Sequence, residues 1–228
     1  MLKSSRVCLM LQAEECTSQL SALVSAGATL MRVSGCQLVM EIRTVYFDQA
    51  SPEHTERVIS IVREFLGRNK NIEHVVVAST EGETGLAVAS AFPDKRVVVV
   101  THSYGFATPN GNELSEEKRA EIEGSGAKVL TTTHAFAGVS RGIRKALGTY
   151  MTTELLAVAY RTFGQGTKVA AEIAMMAADS GLVPVDRDVL CIAGSGRGAD
   201  TAWLIQPAYS SNFPELKMRA CLCKPMKF

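Results

Sequence analysis

The sequence predicts an α/β fold of three layers, α/β/α, around a mostly parallel sheet that ends in an antiparallel hairpin. Three observations predict it. Short apolar runs alternate with longer helical stretches over residues 74–180, the order that buries a parallel sheet between helices. One of those runs is four valines, Val97, Val98, Val99 and Val100, apolar at every position as a strand covered on both faces must be. Past residue 188 the pattern changes. Two strand-like runs, 189–193 and 201–206, flank the turn Gly194-Ser195-Gly196-Arg197-Gly198, a spacing that suits an antiparallel hairpin.

Length and composition are those of a globular chain. There are 228 residues, 46% of them hydrophobic and 21% charged, with a formal net charge of +1. So balanced a charge gives no global field toward nucleic acid or an anionic membrane. No apolar run approaches the roughly 18–20 residues that span a bilayer. The six cysteines form no C-x-x-C pair and have no histidine at zinc-finger spacing, so buried reduced thiols and a cytoplasmic setting are expected.

Residues 1–39 read as an extension. They hold three of the six cysteines, the five charged residues Lys3, Arg6, Glu14, Glu15 and Arg32, and no proline or aromatic residue. The remainder carries 21 basic and 21 acidic residues. Met40 then opens the strand-like run M-E-I-R-T-V-Y-F. Residues 40–228 are therefore taken as one α/β domain with its natural start at Met40. Residues 1–39 are an addition, either a non-native start or an organellar targeting segment.

Within the body, Ser51-Pro52-Glu53 is a helix start: N-cap, proline at the first position, an acid in the first turn. Val58, Ile61, Val62, Phe65 and Leu66 follow at the spacing of one buried helical face, and the helix ends at the polar turn 68–71. Three β–α steps come next. A strand over 75–78 leads into a helix over 83–92. A strand over 96–101 leads through a loop to a helix from Ser115, closed by Gly124 and Gly126. A strand over 128–133 leads through a glycine-rich loop to a helical tract over 152–180, interrupted at Gly164-Gln165-Gly166. The second half of that tract is almost all small and apolar, so it packs closely on the sheet. Glu172 inside it reads as a partnered carboxylate. A run at 217–223 is expected as a further, edge strand, with Cys221 and Cys223 on one face.

The candidate site follows from strand ends, because open α/β sheets bind ligands outside the carboxyl ends of their strands. The first strand stops in Ser79, Thr80, Glu81, Gly82, Glu83 and Thr84 and feeds a helix with no intervening loop. The first N–H groups of such a helix, with its dipole, make a natural seat for phosphate or carboxylate. The dipole supplies about 0.3–1 kcal/mol, or about 2 when partly buried, whereas micromolar binding needs about 8 kcal/mol. Cations or a buried apolar ligand surface must supply the rest. The second strand ends in Thr101-His102-Ser103-Tyr104, with Phe106 beyond. The third ends in Thr133-His134, running through Phe136 and Gly138 to Arg141. A Thr-His pair thus recurs at two successive strand ends. Each histidine reads either as a hydrogen-bonded strand-end residue or as a ligand-facing imidazole. Arg141, Arg144 and Lys145 either supply the missing positive charge or form a solvated basic surface. Metal is not expected, since only two candidate nitrogens are present without a third ligand. The glycines at 194, 196 and 198 are spaced G-x-G-x-G, and no βαβ unit fits behind them, so a dinucleotide fingerprint is excluded.

The turn and the terminal hairpin together resemble the C-terminal α/β domain of pyruvate kinase. Thr80, Gly82 and Thr84 fall on that domain's T-x-S-G-x-T/S turn, which in some members holds a sugar phosphate, with Glu81 and Glu83 making the turn more acidic here. Nothing resembles the kinase's catalytic barrel. The sequence is more similar still to a stand-alone, uncharacterised family of pyruvate-kinase-C-terminal-domain-like proteins. That resemblance runs from residue 41 to about 225, through Y-F-D-Q-A-S-P-E-H-T-E-R-V, V-V-A-S-T-E-G-E-T, V-T-H-S-Y-G-F, T-H-A-F-A-G-V-S-R-G-I, V-A-A-E-I-A-M-M-A-A-D-S-G-L-V-P-V and G-A-D-T-A. It implies that the chain is a flavoprotein carrying FMN. The phosphate would lie on the turn 79–84 and the flavin ring toward His102, Tyr104, Phe106, His134 and Phe136, with Gly138 and Arg141 alongside.

Two function classes follow. One is an FMN-binding α/β protein, with flavin-dependent oxidoreduction as its chemistry. The other is a non-catalytic sensor of a phosphorylated metabolite. A purely structural or oligomerisation domain is a third reading, and homo-oligomerisation is left open. No catalytic residue is legible, since no Ser–His–Asp or Cys–His set emerges from the spacing.

Overall fold

The computed structural model describes Met31–Val33, Gln37–Val39 and residues 41–228. The two short strands Met31–Val33 (β1) and Gln37–Val39 (β2) pair antiparallel with each other. Met40, the expected boundary, and Cys8, Cys16 and Cys36 lie outside the described residues.

The body alternates as β3 (Val45–Gln49), α1 (Thr55–Arg68), β4 (His74–Ala78), α2 (Glu83–Ala91), β5 (Arg96–Val100), α3 (Glu116–Gly124), β6 (Lys128–Leu130), α4 (Gly138–Leu147), α5 (Thr152–Arg161) and α6 (Gln165–Asp179). It closes with β7 (Val189–Ala193), β8 (Thr201–Gln206) and β9 (Lys217–Lys227). The seven strands of the main sheet lie in the order β3-β9-β8-β7-β4-β5-β6. Only β8 runs against the rest, pairing antiparallel with β7 and with β9, while the other neighbours are parallel. The expected three-layer, largely parallel architecture with an antiparallel terminal hairpin is the observed one.

Successive side chains of a strand point to opposite faces, and here each face has its own core. Val75, Val77, Val97 and Val99 pack with Val58, Val62, Leu66, Val88 and Ile122 of α1, α2 and α3. Val76, Val98 and Val100 pack with Ala157 of α5 and with Ala170, Ile173, Ala174 and Ala177 of α6. That is why β5 carries four successive valines after Arg96. A fully buried valine contributes about 1.5–3 kcal/mol, and the strand needs that on both faces. The alanines of α6 let its axis approach the sheet closely, and at Gly166 a Cβ would collide with the Thr201 side chain.

Local signals set most boundaries. Ser51 caps a 3₁₀ turn, Pro52–His54, that leads into α1, its side chain accepting from Glu53 N–H. Ser115 caps α3 through Lys118 N–H. Gly164, at φ 119°, separates α5 from α6.

Four expectations change. The strand expected from Met40 begins only at Val45. The strand expected to reach 133 ends at Leu130, because β5, its sole neighbour, ends at Val100, the partner of Leu130. The glycine-rich stretch expected as a loop contains α4, which buries no residue of its own. Contacts with α5 hold it: Thr153 Oγ1 donates to Ser140 Oγ (2.8 Å) and Arg144 Nε to Glu154 Oε1 (2.7 Å). Finally, β9 is not at the edge. It runs on to Lys227, and β3 pairs along its outer side from Val45↔Cys223 to Gln49↔Lys227, giving the cysteine-bearing strand a neighbour on each side.

Candidate functional site

From β4 the chain steps outward through β5 to β6, then returns through α4, α5 and α6 to β7 on the other side of β4. Strand order therefore reverses at β4, with α2 and α3 on one face and α5 and α6 on the other, and the crevice beyond its carboxyl end is where ligands bind in such sheets. A cleft lies there. It has two lobes, of about 260 and 570 Å³, which share Ala78, Ser79, Thr80, His102, Gln165 and Val169. Together they fall within the roughly 300–1,000 Å³ usual for small-molecule sites.

The larger lobe is formed by the turn 79–84 and the glycine-rich turn 194–198, with Pro52 and Thr55 at its side. Gly82 caps α2 at φ 104°, a conformation that favours glycine. The buried Ser79 Oγ accepts Gly85 N–H at 3.1 Å, so one of the helix's first donors is satisfied within the protein. Glu81 makes a close ion pair with Arg197 across the lobe, and Glu83 lines it too. With one cation and two carboxylates, this lobe carries a net negative charge.

The smaller lobe lies between the ends of β4 and β5 and the helices α5 and α6. His102 accepts its orientation from two neighbours: Nδ1 is 2.9 Å from Glu113 Oε1, and Asn112 Nδ2 donates to its carbonyl at 2.7 Å. The Phe106 ring stacks on His102 with centroids 3.9 Å apart and lies 5.3 Å from His134. The two imidazoles are 5.4 Å apart, and the Arg141 guanidinium sits 4.9 Å over Phe106. The aromatic rim thus packs against itself.

At the floor, Glu172 holds two donors and faces an imidazole. Its Oε1 accepts Phe136 N–H at 2.9 Å. Its Oε2 takes the Lys168 ammonium in a close ion pair and lies 3.6 Å from His134 Nδ1. Ser103 N–H donates to His134 Nε2 at 3.4 Å, which puts the ring's proton on Nδ1, facing the carboxylate. Burial works to raise the Glu172 carboxyl. The adjacent His134 ring and the Lys168 ammonium outweigh it and hold the group at about 2. Lys168 is lowered as well, because burial outweighs the raising effect of Glu172. The carboxylate, with Phe136 N–H and the ammonium on it and His134 facing it, is the better satisfied partner, so the pair is charged, anchored by Glu172. Arg144 pairs with the buried Glu154, whose Oε2 has no hydrogen-bond partner among the described residues.

The expected site residues divide between these features. Ser79 and Thr80 line both lobes, while Glu81, Glu83 and Thr84 line the larger one. His102, Phe106, His134, Phe136 and Arg141 line the smaller one, and Arg144 joins them. Tyr104 is 58% exposed and lines neither lobe. Phe136 is buried, stacked near Tyr160 and edge-on to Phe213. Gly138 begins α4 and borders a separate depression. The two Thr-His pairs are not equivalent. Thr101 is matched by Thr131, whose hydroxyls lie 2.7 Å apart, and His134 reaches His102 from two residues beyond the equivalent position, Thr132. Glu172 is partnered, as expected. Lys168, Glu113, Glu154 and Arg161 were not anticipated. For Lys168 a signal existed: a lysine four residues before a glutamate in a helix too apolar to be exposed.

Among the described residues no three His, Cys, Asp or Glu side chains converge as a metal would need, and no helix is long and apolar enough to cross a membrane. No protein-family model matches the chain. Among solved structures, a diaminopropionate ammonia lyase from Escherichia coli, in complex with an aminoacrylate–PLP azomethine intermediate, aligns with 72% of this chain at 12% identity and a TM-score of 0.24. The match spans 50% of that enzyme's length. A likeness of that grade carries no statement about chemistry. What stands is the architecture: a mixed, mostly parallel α/β sheet with a two-lobed cleft at its topological switch point.

Proposed function

We propose that the chain binds a small phosphorylated ligand in this cleft, with FMN as the ligand that the family resemblance implies. The supporting observation is the joining of an aromatic and cationic lobe to a glycine-walled one at the strand-order reversal. Phe106, His102 and His134 offer flat apolar surface to a ring system. Arg141, Arg144, Arg161 and Lys168 offer the positive charge that a helix dipole alone lacks. A flavin would bind by extending or displacing the Phe106 stack and would supply redox chemistry. The chain's own groups would orient it and exclude water.

A sensor is favoured by a different observation. Both histidines of the smaller lobe, and two of its four cations, are paired with carboxylates, His102 with Glu113, His134 and Lys168 with Glu172, Arg144 with Glu154, an arrangement suited to holding rather than transforming a ligand.

The test is to purify the full chain under native conditions, record its visible spectrum and identify any small molecule released on denaturation. A flavin spectrum, or uptake of added FMN, is expected. A colourless protein that takes up no FMN refutes the flavin reading. If flavin is bound, anaerobic reduction by nicotinamide cofactors separates oxidoreductase from sensor.

A further inference from the structure

The two lobes differ in charge. The larger one carries Glu81, Glu83 and Arg197. The smaller one carries Arg141, Arg144, Arg161 and Lys168 against Glu154 and Glu172. Arg144 is balanced by Glu154 and Lys168 by Glu172. Arg161 donates to the neutral Gln165 at 2.7 Å, and Arg141 lies over the Phe106 ring. Among the described residues two guanidiniums therefore have no carboxylate partner, and they share the lobe with a lysine whose side chain is only 8% exposed. An ammonium has three donors. One goes to Glu172, and Lys168 lines the lobe.

We infer that the smaller lobe is a seat for a dianionic oxyanion, a phosphate monoester or a dicarboxylate, held by Lys168, Arg141 and Arg161. This rests on the reading that the cleft binds an anionic small molecule, and it moves the anion away from the turn 79–84. There Glu81 and Glu83 oppose a dianion, and Ser79 already occupies a helix donor. Two uncompensated positive charges match a charge of minus two. Guanidiniums bind carboxylate and phosphate in bidentate fashion. Glu172 acts as a positioning residue: its ion pair favours the charged form of the buried Lys168 ammonium and fixes the ammonium's place.

The experiment is a thermal-shift titration of the full chain with sodium phosphate and, separately, sodium malonate, at an ionic strength fixed with sodium chloride. The variants are Lys168→Met, Lys168→Met with Glu172→Gln, Arg141→Gln, and Thr84→Val, the last at a position that lines only the larger lobe. The Lys168→Met/Glu172→Gln pair removes both buried charges together and so guards against a folding defect. A saturable rise in Tm is expected for the wild-type chain. It should weaken about tenfold or more in the lysine and arginine variants and stay unchanged in the threonine variant. Phosphate acting alone assigns a phosphate monoester, and malonate acting as well assigns a general dianion seat. Weakening in the threonine variant with the lysine variants unaffected overturns the inference, as does a wild-type chain that responds to neither dianion. FMN uptake by a chain indifferent to both dianions would overturn this seat and leave the flavin reading standing. Dianion binding without FMN uptake would do the reverse.

Discussion

Replacing Glu172 with Gln is the sharpest test of the charge arrangement beneath the cleft. The carboxyl lies at about 2 in the folded chain against an ordinary value of 4.5. One pH unit is worth about 1.4 kcal/mol, so the carboxylate contributes on the order of 3 kcal/mol to stability near neutrality. The folded state binds this proton less tightly than the unfolded state does. The contribution is therefore complete above about pH 4.5 and is lost as the pH falls toward about 2. Glutamine keeps the shape and can accept Phe136 N–H, but it leaves the Lys168 ammonium buried without a counter-charge. Urea unfolding of both proteins across that range, at fixed ionic strength, measures the difference. Wild type should lead by about 3 kcal/mol near neutral pH, with the gap closing as acid is added. A gap that is constant with pH, or below about 1 kcal/mol at neutrality, would refute the account of Glu172 as a buried, charged anchor.

Two further outcomes follow from burial and capping. Ser79→Ala removes the acceptor for Gly85 N–H in a buried turn and should cost about 1–2 kcal/mol in urea unfolding; a loss below about 0.5 kcal/mol would mean that the N–H finds another partner. Burial pushes the Cys191 thiol far up and Cys223 to about 12, so both should resist iodoacetamide at neutral pH in the native chain and react once it is unfolded in urea. Mass-spectrometric mapping that finds Cys191 labelled before unfolding would contradict the burial.

Much of the scaffold was readable in order along the chain. The Ser51-Pro52 start, the Ser115 cap, the break at Gly164 and the four valines of β5 are local signals, and each stands where the sequence put it. The site was readable in part. The polar strand ends at Ser79, His102 and His134 do meet at one cleft, because parallel strands deliver their carboxyl ends to one side of the sheet. Lys168 was not readable as a cleft residue, since a helix pattern tells that a side chain is buried but not what faces it. The helix α4 was missed because its glycines argue against helix, and its support comes from Thr153 and Glu154 on the next helix.

The sequence by itself determined the alternation of elements, the two-faced burial of the central strands and the tight β4–α2 turn. All of these depend on neighbours a few residues apart, through strand and helix periodicity, capping and proline or glycine backbone limits. Tertiary structure alone decided that β9 lies inside the sheet beneath β3, a pairing that joins Gln49 to Lys227. It decided that His134 meets His102 although their strand positions differ, and that Glu172 draws Lys168, His134 and Phe136 N–H to one point. It also decided that positive charge collects in the lobe opposite the turn that first marked the site. Lateral strand order and the pairing of buried charges arise between segments far apart in the chain, where no local period records them.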